Sequence, residues 1–373
     1  MGVAMMKQKK IFLLAGEASG DVLGSEFLNY TVKHWPGCEY VFWGGEKMSE
    51  SLGGQKPQIG LEQLSLMGFI EVLNHLPRIL KQERGLKQFL SNWNPDLVVC
   101  IDYQAFNMRL ARWITNKEFR DNGTKLIQIV SPQFWAWRPG RILKLKKYTD
   151  AVFPLLPFES DILNKAGIVA PYFGHPAVNR VSPVNLNGSG WLALLPGSRI
   201  QELVSHIPVF YQTALKLGRP FKWVRPLNFD EKDYMLLLKK YSGVDFELRQ
   251  IVVGVDSLEG ASIALVASGT ATLETALRGI PHVVGYKTSW LTYFIAKSLI
   301  KVDYISLINL ILNKEIVSEF IQKRCNADLI CNELKKVLND HRIQSDAFLE
   351  LRSKLDLKNN PMISVANYVA NNF

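Results

Sequence analysis

Three charged side chains stand where the pattern of the chain would present them to a substrate: Glu17, Asp102 and Arg199. Asp102 follows the apolar run Asp96–Ile101, which reads as a buried strand. The space outside the carboxyl ends of strands is where open α/β sheets bind ligands. That stretch contains no His, so if a side chain acts there as general base it is a carboxylate; a helix cap is the alternative role for Asp102. Glu17 sits at the tip of the turn Gly16-Glu17-Ala18-Ser19-Gly20-Asp21, directly after the strand pattern Lys10–Ala15. A carboxylate there repels phosphate and suits sugar hydroxyls. Glu17 or Asp21 could equally cap a helix over Val22–Lys33. Arg199 lies in WLALLPGSRIQELV, residues 191–204, where a strand breaks at Pro196-Gly197-Ser198 and a helical pattern begins through Glu202. Free N–H groups at such a helix start, with the planar fork of an Arg beside them, favour phosphate oxygens.

A second stretch has the same form. The strand pattern Ser262–Val266 runs into Ala267-Ser268-Gly269-Thr270-Ala271, and Glu274 lies about one turn inside the following helix. Small residues let phosphates approach the backbone, and a carboxylate one turn on can accept from ribose hydroxyls. If their strands are near neighbours in one sheet, the two helix starts face one crevice, the shape of a nucleotide diphosphate site. Ser198, Arg199, Glu202, Ser268, Gly269, Thr270, Ala271 and Glu274 are its candidates. Neither stretch matches a Walker A loop or G-x-G-x-x-G.

Leu61–Leu80 carries more apolar residues than one core-facing helix stripe needs: Leu66, Met67, Phe69, Ile70, Leu73 and Leu76 among them. Basic residues Arg78, Lys81, Arg84 and Lys87 follow. Apolar surface beside cations suits an anionic membrane surface or an acyl chain; a core helix with a solvated basic face is the plainer reading. The aromatic loop Ser131–Arg138 could stack on a sugar, hold lipid or plug the fold.

The formal net charge of +10 favours anionic partners, yet no nucleic-acid-reading motif is present. Cys38, Cys100, Cys325 and Cys331 are scattered, the usage of a reducing compartment such as the cytoplasm. The six histidines form no ligand spacing, so no metal and no cofactor is expected. No apolar run reaches the length of a membrane span, and the apolar core near the start is too short for a signal peptide.

Strand and helix patterns alternate through both halves of the 373 residues, with strands expected at 191–195, 222–225, 246–252, 262–266 and 281–285 in the second half. This predicts an α/β protein of two doubly wound Rossmann-like domains facing a cleft. The expected division is 1–182, then a linker ending at 190, then 190–340. A helical segment, 341–373, could pack back on the first domain.

The stretches GEASGD (16–21), LMGFIEVL (66–73), IDYQAFN (101–107), VSPQFWAWR (130–138), LLPGSRIQE (194–202), LVASGTATLE (265–274), VVGYK (283–287) and DYISLINLI (303–311) occur in the order found in one family. On these the chain resembles the lipid-A-disaccharide synthases, glycosyltransferases of the GT-B fold. Ile308 stands where that family usually has Pro, and Ala18 where Thr is common. The resemblance implies an inverting transfer from UDP-2,3-diacylglucosamine to 2,3-diacylglucosamine 1-phosphate, releasing UDP. It adds Tyr286, Asn309 and Gln322 to the UDP site. It also implies a peripheral location on the inner membrane of a Gram-negative cell, and leaves a homodimer open. Two rival readings are another UDP-sugar enzyme of this fold, an epimerase or peptidoglycan-type transferase, and a non-catalytic UDP-sugar binder.

Overall fold

The computed structural model describes residues 8–64, 69–115, 119, 121–135, 140–184, 186, 190–289 and 303–373; the side chains of 62 and 69–79 are outside that description. The chain divides into two compact units, Met1–Pro176 with Leu357–Phe373, and Ala177–Asp356.

The first unit is built on β1 (Lys10–Ala15), β2 (Glu39–Gly44), β3 (Ile59–Gly60), β4 (Leu97–Ile101), β5 (Lys125–Ile129) and β6 (Ala151–Phe153), in the order β3-β2-β1-β4-β5-β6. Every pairing is parallel. The continuous apolar runs arise because helices cover both faces of a parallel sheet. Ile11, Leu13 and Ala15 of β1 enter one core with Leu97, Val99 and Ile101 of β4. Phe12, Leu14, Val98 and Cys100 point into the core on the opposite face.

The second unit repeats the design with β7 (Trp191–Leu195), β8 (Phe221–Arg225), β9 (Ile251–Val253), β10 (Ala261–Val266), β11 (His282–Tyr286) and β12 (Glu319–Ile321). Read from one edge its order is β9-β8-β7-β10-β11-β12, the same topology, again wholly parallel. The expected strand 246–252 is shorter, a 3-10 turn at Leu248–Gln250 leading into β9. In each sheet the order changes direction once, between β1 and β4 and between β7 and β10. Connections leave those neighbouring strands to opposite faces, which opens a crevice over their carboxyl ends. Ala15 pairs with Ile101 and Leu195 with Val266, so each crevice is flanked by two of the motifs singled out above.

The division at Pro176 lies before the Ser182–Gly190 stretch. Arg352 explains this: its guanidinium donates to the carbonyls of Val178, Val181 and Leu277, which ties 177–181 into the second unit. Gln344 likewise binds the backbone N–H and C=O of His282, holding the helix Arg342–Leu355 there. Only the last helix, Pro361–Asn372, joins the first unit. Asn360 caps it, and Met362, Val365, Ala366 and Val369 are buried with Phe27, Leu28 and Trp35. Tyr30 adds a hydrogen bond to Asn367, 2.8 Å.

Candidate active site

At the first crevice β1 runs into Gly16, and β4 into Asp102. A Cβ on Gly16 would lie 2.2 Å from the Tyr103 ring, so only glycine lets Tyr103 close over the turn. Tyr103 stacks on Phe106 at 5.5 Å and donates from its hydroxyl to Leu64 O. Ser19 Oγ, from the start of the helix Ala18–His34, donates to Asp102 Oδ2 at 3.0 Å. No local pattern signals this bond, which spans 83 positions.

Asp102 adopts a left-handed backbone, φ +38°, and so does Val130 at the end of the adjacent β5, φ +69°. For a β-branched residue that conformation is a genuine outlier, and each such residue costs on the order of 1–3 kcal/mol. A set of amides holds them. Gln128 Nε2 donates to the carbonyls of Ile129 and Val130, both at 3.1 Å, and Gln104 Nε2 reaches Val130 O at 3.4 Å. Asn107 supports Gln128 in turn. Burial raises the Asp102 pKa, with Ser19 and Gln104 opposing. Strain and a disfavoured charge at one carboxylate are the marks of a working group.

Glu17 occupies the cap position of its helix, but its side chain makes no cap bond and is exposed. Asp21 does not cap that helix either. It accepts from the N–H groups of Gly45 (2.7 Å), Lys47 (3.1 Å) and Met48 (3.3 Å), so it caps the next helix, Glu46–Ser51. Burial raises the Tyr103 pKa; Arg109 opposes this and the charge of Glu17 adds to it, which sets Glu17 on the same rim as Asp102.

The aromatic loop is a plug where it is described. Phe134 is core, and Trp135 Nε1 donates to the buried Glu159 at 2.7 Å. Burial pushes the Glu159 carboxyl up to about 7. Ala136, Trp137 and Arg138 lie outside the described residues, as do Leu66 and Met67. Phe69, Ile70, Leu73 and Leu76 fall within the helix Phe69–Trp93, and their side chains are also outside the description.

At the second crevice Gly197 takes φ +113° and delivers Arg199 to the start of the helix Ile200–Leu217. The N–H groups of Ser198 and Arg199, expected to face a diphosphate, instead donate to Glu202 Oε2 at 3.0 and 3.3 Å. Glu202 is thus the third-residue partner of a capping box, a role its spacing could have signalled. Its carboxylate also sits 3.7 Å from the Arg199 guanidinium, whose side chain is 71% exposed.

Across the crevice, Ser268 Oγ donates to Ile305 O at 2.8 Å. The helix Thr270–Leu277 starts at Gly269 with no side-chain cap, and Gly269 and Thr270 are exposed, with Ala271 half-buried. Burial raises the Glu274 pKa, as does Asp256, against Arg180 and Arg278.

Three polar residues secure the frame of this crevice. His206 is buried; its Nε2 accepts from Lys287 N–H (2.8 Å), which leaves Nδ1 as the donor to Pro196 O (2.7 Å). Burial lowers its pKa, so the ring is a neutral brace between the ends of β7 and β11. Tyr286 packs against it at 5.4 Å. Asn309 is fully buried and binds the backbone of Ile316 and Val317 together with Glu319. Gln322, at φ +53°, pairs with both the N–H and C=O of Thr288 at 3.0 Å. The amides of Asn309 and Gln322, which the resemblance adds to the UDP site, thus hold loops around this crevice. His206 was not legible as part of the site. Ile308 is buried in the first turn after the Ser306 cap, a place a Pro also tolerates. Among the described residues no group of three or more His, Cys, Asp and Glu is placed to hold a metal ion.

Residues 11–373 match the sequence family described as lipid-A-disaccharide synthetase. The lipid-A-disaccharide synthase of Aliivibrio fischeri is 34% identical over 365 residues, covering 93% of each chain. Among solved structures, S. aureus MnaA with UDP superposes with a TM-score of 0.60 at 13% identity, covering 97% of this chain and 96% of that one. Acinetobacter baumannii MurG gives 0.54 at 10% identity, covering 97% and 99%. At those identities the likeness shows the fold, which is GT-B.

The raised pKa of Asp102 has a consequence for stability. The folded state holds that proton more tightly than the unfolded chain, so the group favours folding below its unfolded pKa of about 4 and loses this as pH rises through the folded value. At pH 7 the ionised Asp102 is a burden on the fold. Asn keeps the shape and tolerates left-handed backbone. Asp102→Asn is expected to melt at or above the wild-type temperature at pH 7, with the difference shrinking towards pH 4. Thermal melts by circular dichroism at both pH values check this, and a large drop in melting temperature at pH 7 would contradict it.

Proposed function

The chain belongs to the lipid-A-disaccharide synthase family, and from that premise we propose which sugars it joins and which residues do the work. It is a glycosyltransferase of lipid A biosynthesis. The proposed donor is UDP-2,3-diacylglucosamine and the acceptor 2,3-diacylglucosamine 1-phosphate. The products are the β-1′,6-linked disaccharide 1-phosphate and UDP. The observation that carries the residue roles is the strained, partly buried Asp102 at the carboxyl end of β4.

In this mechanism Asp102 accepts the proton of the acceptor's 6-hydroxyl as that oxygen attacks the anomeric carbon opposite UDP. The anomeric bond to UDP breaks and the configuration inverts. A carboxylate with a raised pKa takes a hydroxyl proton with a better driving force than an ordinary Asp. Ser19 and Gln104 aim it. Arg199 and the uncapped start of the helix Thr270–Leu277 offset the charge growing on UDP, and Glu274 accepts from the ribose.

The test is turnover of purified protein with a panel of UDP-sugars, with and without acyl chains. Disaccharide from the diacylated pair alone supports the reading; epimerised sugar, or no turnover of any pair, overturns it. Asp102→Asn is expected to lower turnover by about 10²–10⁴-fold with UDP affinity unchanged. Should Glu17→Gln lose turnover while Asp102→Asn keeps it, Glu17 is the base. Arg199→Ala removes a charged hydrogen bond worth roughly 1.5–3 kcal/mol, so calorimetry should show UDP bound about tenfold or more weaker. Unchanged affinity would remove Arg199 from the site.

The enzyme is further proposed to work at the face of the inner membrane as a peripheral protein. The charge of +10 supports this, and among the described residues no helix is long and apolar enough to cross a membrane. Replacing Leu66, Phe69 and Leu73 together with Ser is expected to weaken binding to anionic vesicles without changing UDP affinity. Unfolding of that variant would assign those side chains to the core.

A further inference from the structure

A groove of about 260 Å³ runs between the helices Gln104–Thr115 and Arg141–Tyr148 of the first unit. Gln104 stands at its head, on the side chain that also touches Asp102. Arg109 and Arg112 follow along the same helix, and Arg141, Lys144 and Tyr148 line the other side at the i, i+3, i+7 spacing of one face. Four cations converge on a small volume, and among the described residues no acidic one lines it. Gln104 and Arg112 are eight residues apart, about 12 Å along the helix, so the groove starts beside the candidate base and leads away from it.

The cations are built into the fold to different degrees. Arg109 is pinned through Nε to Glu83 at 3.0 Å, and Glu83 also holds Lys87 at 2.6 Å. Burial alone would raise the Glu83 pKa, but Lys87 and Arg109 outweigh it and keep the carboxylate charged. Arg112 and Lys144 are exposed. A volume of this size is below that of pockets that enclose a whole ligand of moderate size. It suits the anionic end of one.

We infer that this groove takes the phosphomonoester of the acceptor sugar. The inference rests on the acceptor proposed above, whose phosphate on C1 and reacting hydroxyl on C6 flank the ring oxygen, so that a hydroxyl beside the base has the phosphate within the same part of the site. With the hydroxyl at Asp102, the phosphate is directed past Gln104 towards Arg109, Arg112 and Lys144. Guanidinium forks and an ammonium bind a phosphate dianion through charge-assisted hydrogen bonds, and Tyr148 adds a hydroxyl donor. The groove then sets which hydroxyl reaches the base, because a phosphate held at C1 places the nearby 6-hydroxyl, and not the ring's more remote hydroxyls, at Asp102.

The test uses the whole protein carrying Arg112→Gln with Lys144→Gln. Both positions are exposed and Gln is a good helix former, so the thermal melt should be unchanged. Binding is measured without donor, in neutral detergent, for diacylglucosamine 1-phosphate and for the same sugar lacking the phosphate. Wild type should prefer the phosphorylated sugar. The double variant should bind it about ten- to a hundredfold more weakly, the weight of one charged hydrogen bond, and bind the unphosphorylated sugar as before. A retained preference overturns the inference. So does a variant that keeps the preference in detergent but loses binding to anionic phospholipid vesicles, since the groove would then hold membrane headgroups. Wild-type protein that binds the phosphorylated sugar yet makes no disaccharide would instead overturn the reaction and leave the groove's assignment standing.

Discussion

In a parallel sheet the strand order can change direction only where two neighbouring strands send their connections to opposite faces. The gap this leaves over their carboxyl ends is open to solvent and lined by helix starts. Both sheets here obey that constraint at one place each, beside β1 and β4 and beside β7 and β10. Everything assigned to chemistry sits at these two gaps. In the first unit they receive Gly16, Glu17, Ser19 and Asp102; in the second, Arg199, Glu202, Ser268 and Gly269.

What differs between the gaps is the charge the backbone and side chains prepare. The second presents a cation and an uncapped helix start, a setting for anionic oxygen. The first presents a carboxylate in left-handed backbone, braced by Ser19, Gln104 and, through Val130, by Gln128. Strain at Asp102 and Val130 and a disfavoured charge both reduce stability. They persist because the surrounding hydrogen bonds and the two-faced core of β1, β4 and β5 over-determine the geometry.

Much of this frame was legible from residue types alone. Continuous apolar runs marked the central strands, and a Gly- or Ser-rich turn after each marked the carboxyl ends. The residues that lock the site were not, because their bonds are non-local. Asp21 looked like a cap for its own helix but serves a helix 24 residues on, and Ser19 reaches Asp102 across 83. Asn309 and Gln322 enter only through the family resemblance, and the fold shows their amides bonded to backbone. Glu202 is the instructive middle case, since three-residue spacing from Arg199 spells a capping box that competes with phosphate for the same N–H groups. The division of the chain was hidden for a similar reason: Arg352 claims 178 and 181 from far along the sequence.

Asp102, with its proton held more tightly by burial, is proposed as the group that removes the acceptor proton. The rate of disaccharide formation at saturating substrates, followed against pH, tests it most directly. With Asp102 as base the profile has an acid limb with an apparent pKa above the ordinary Asp value of about 4, and Asp102→Asn keeps a residual rate with no such limb. An unchanged acid limb in Asp102→Asn would exclude Asp102 and move the base elsewhere on the rim.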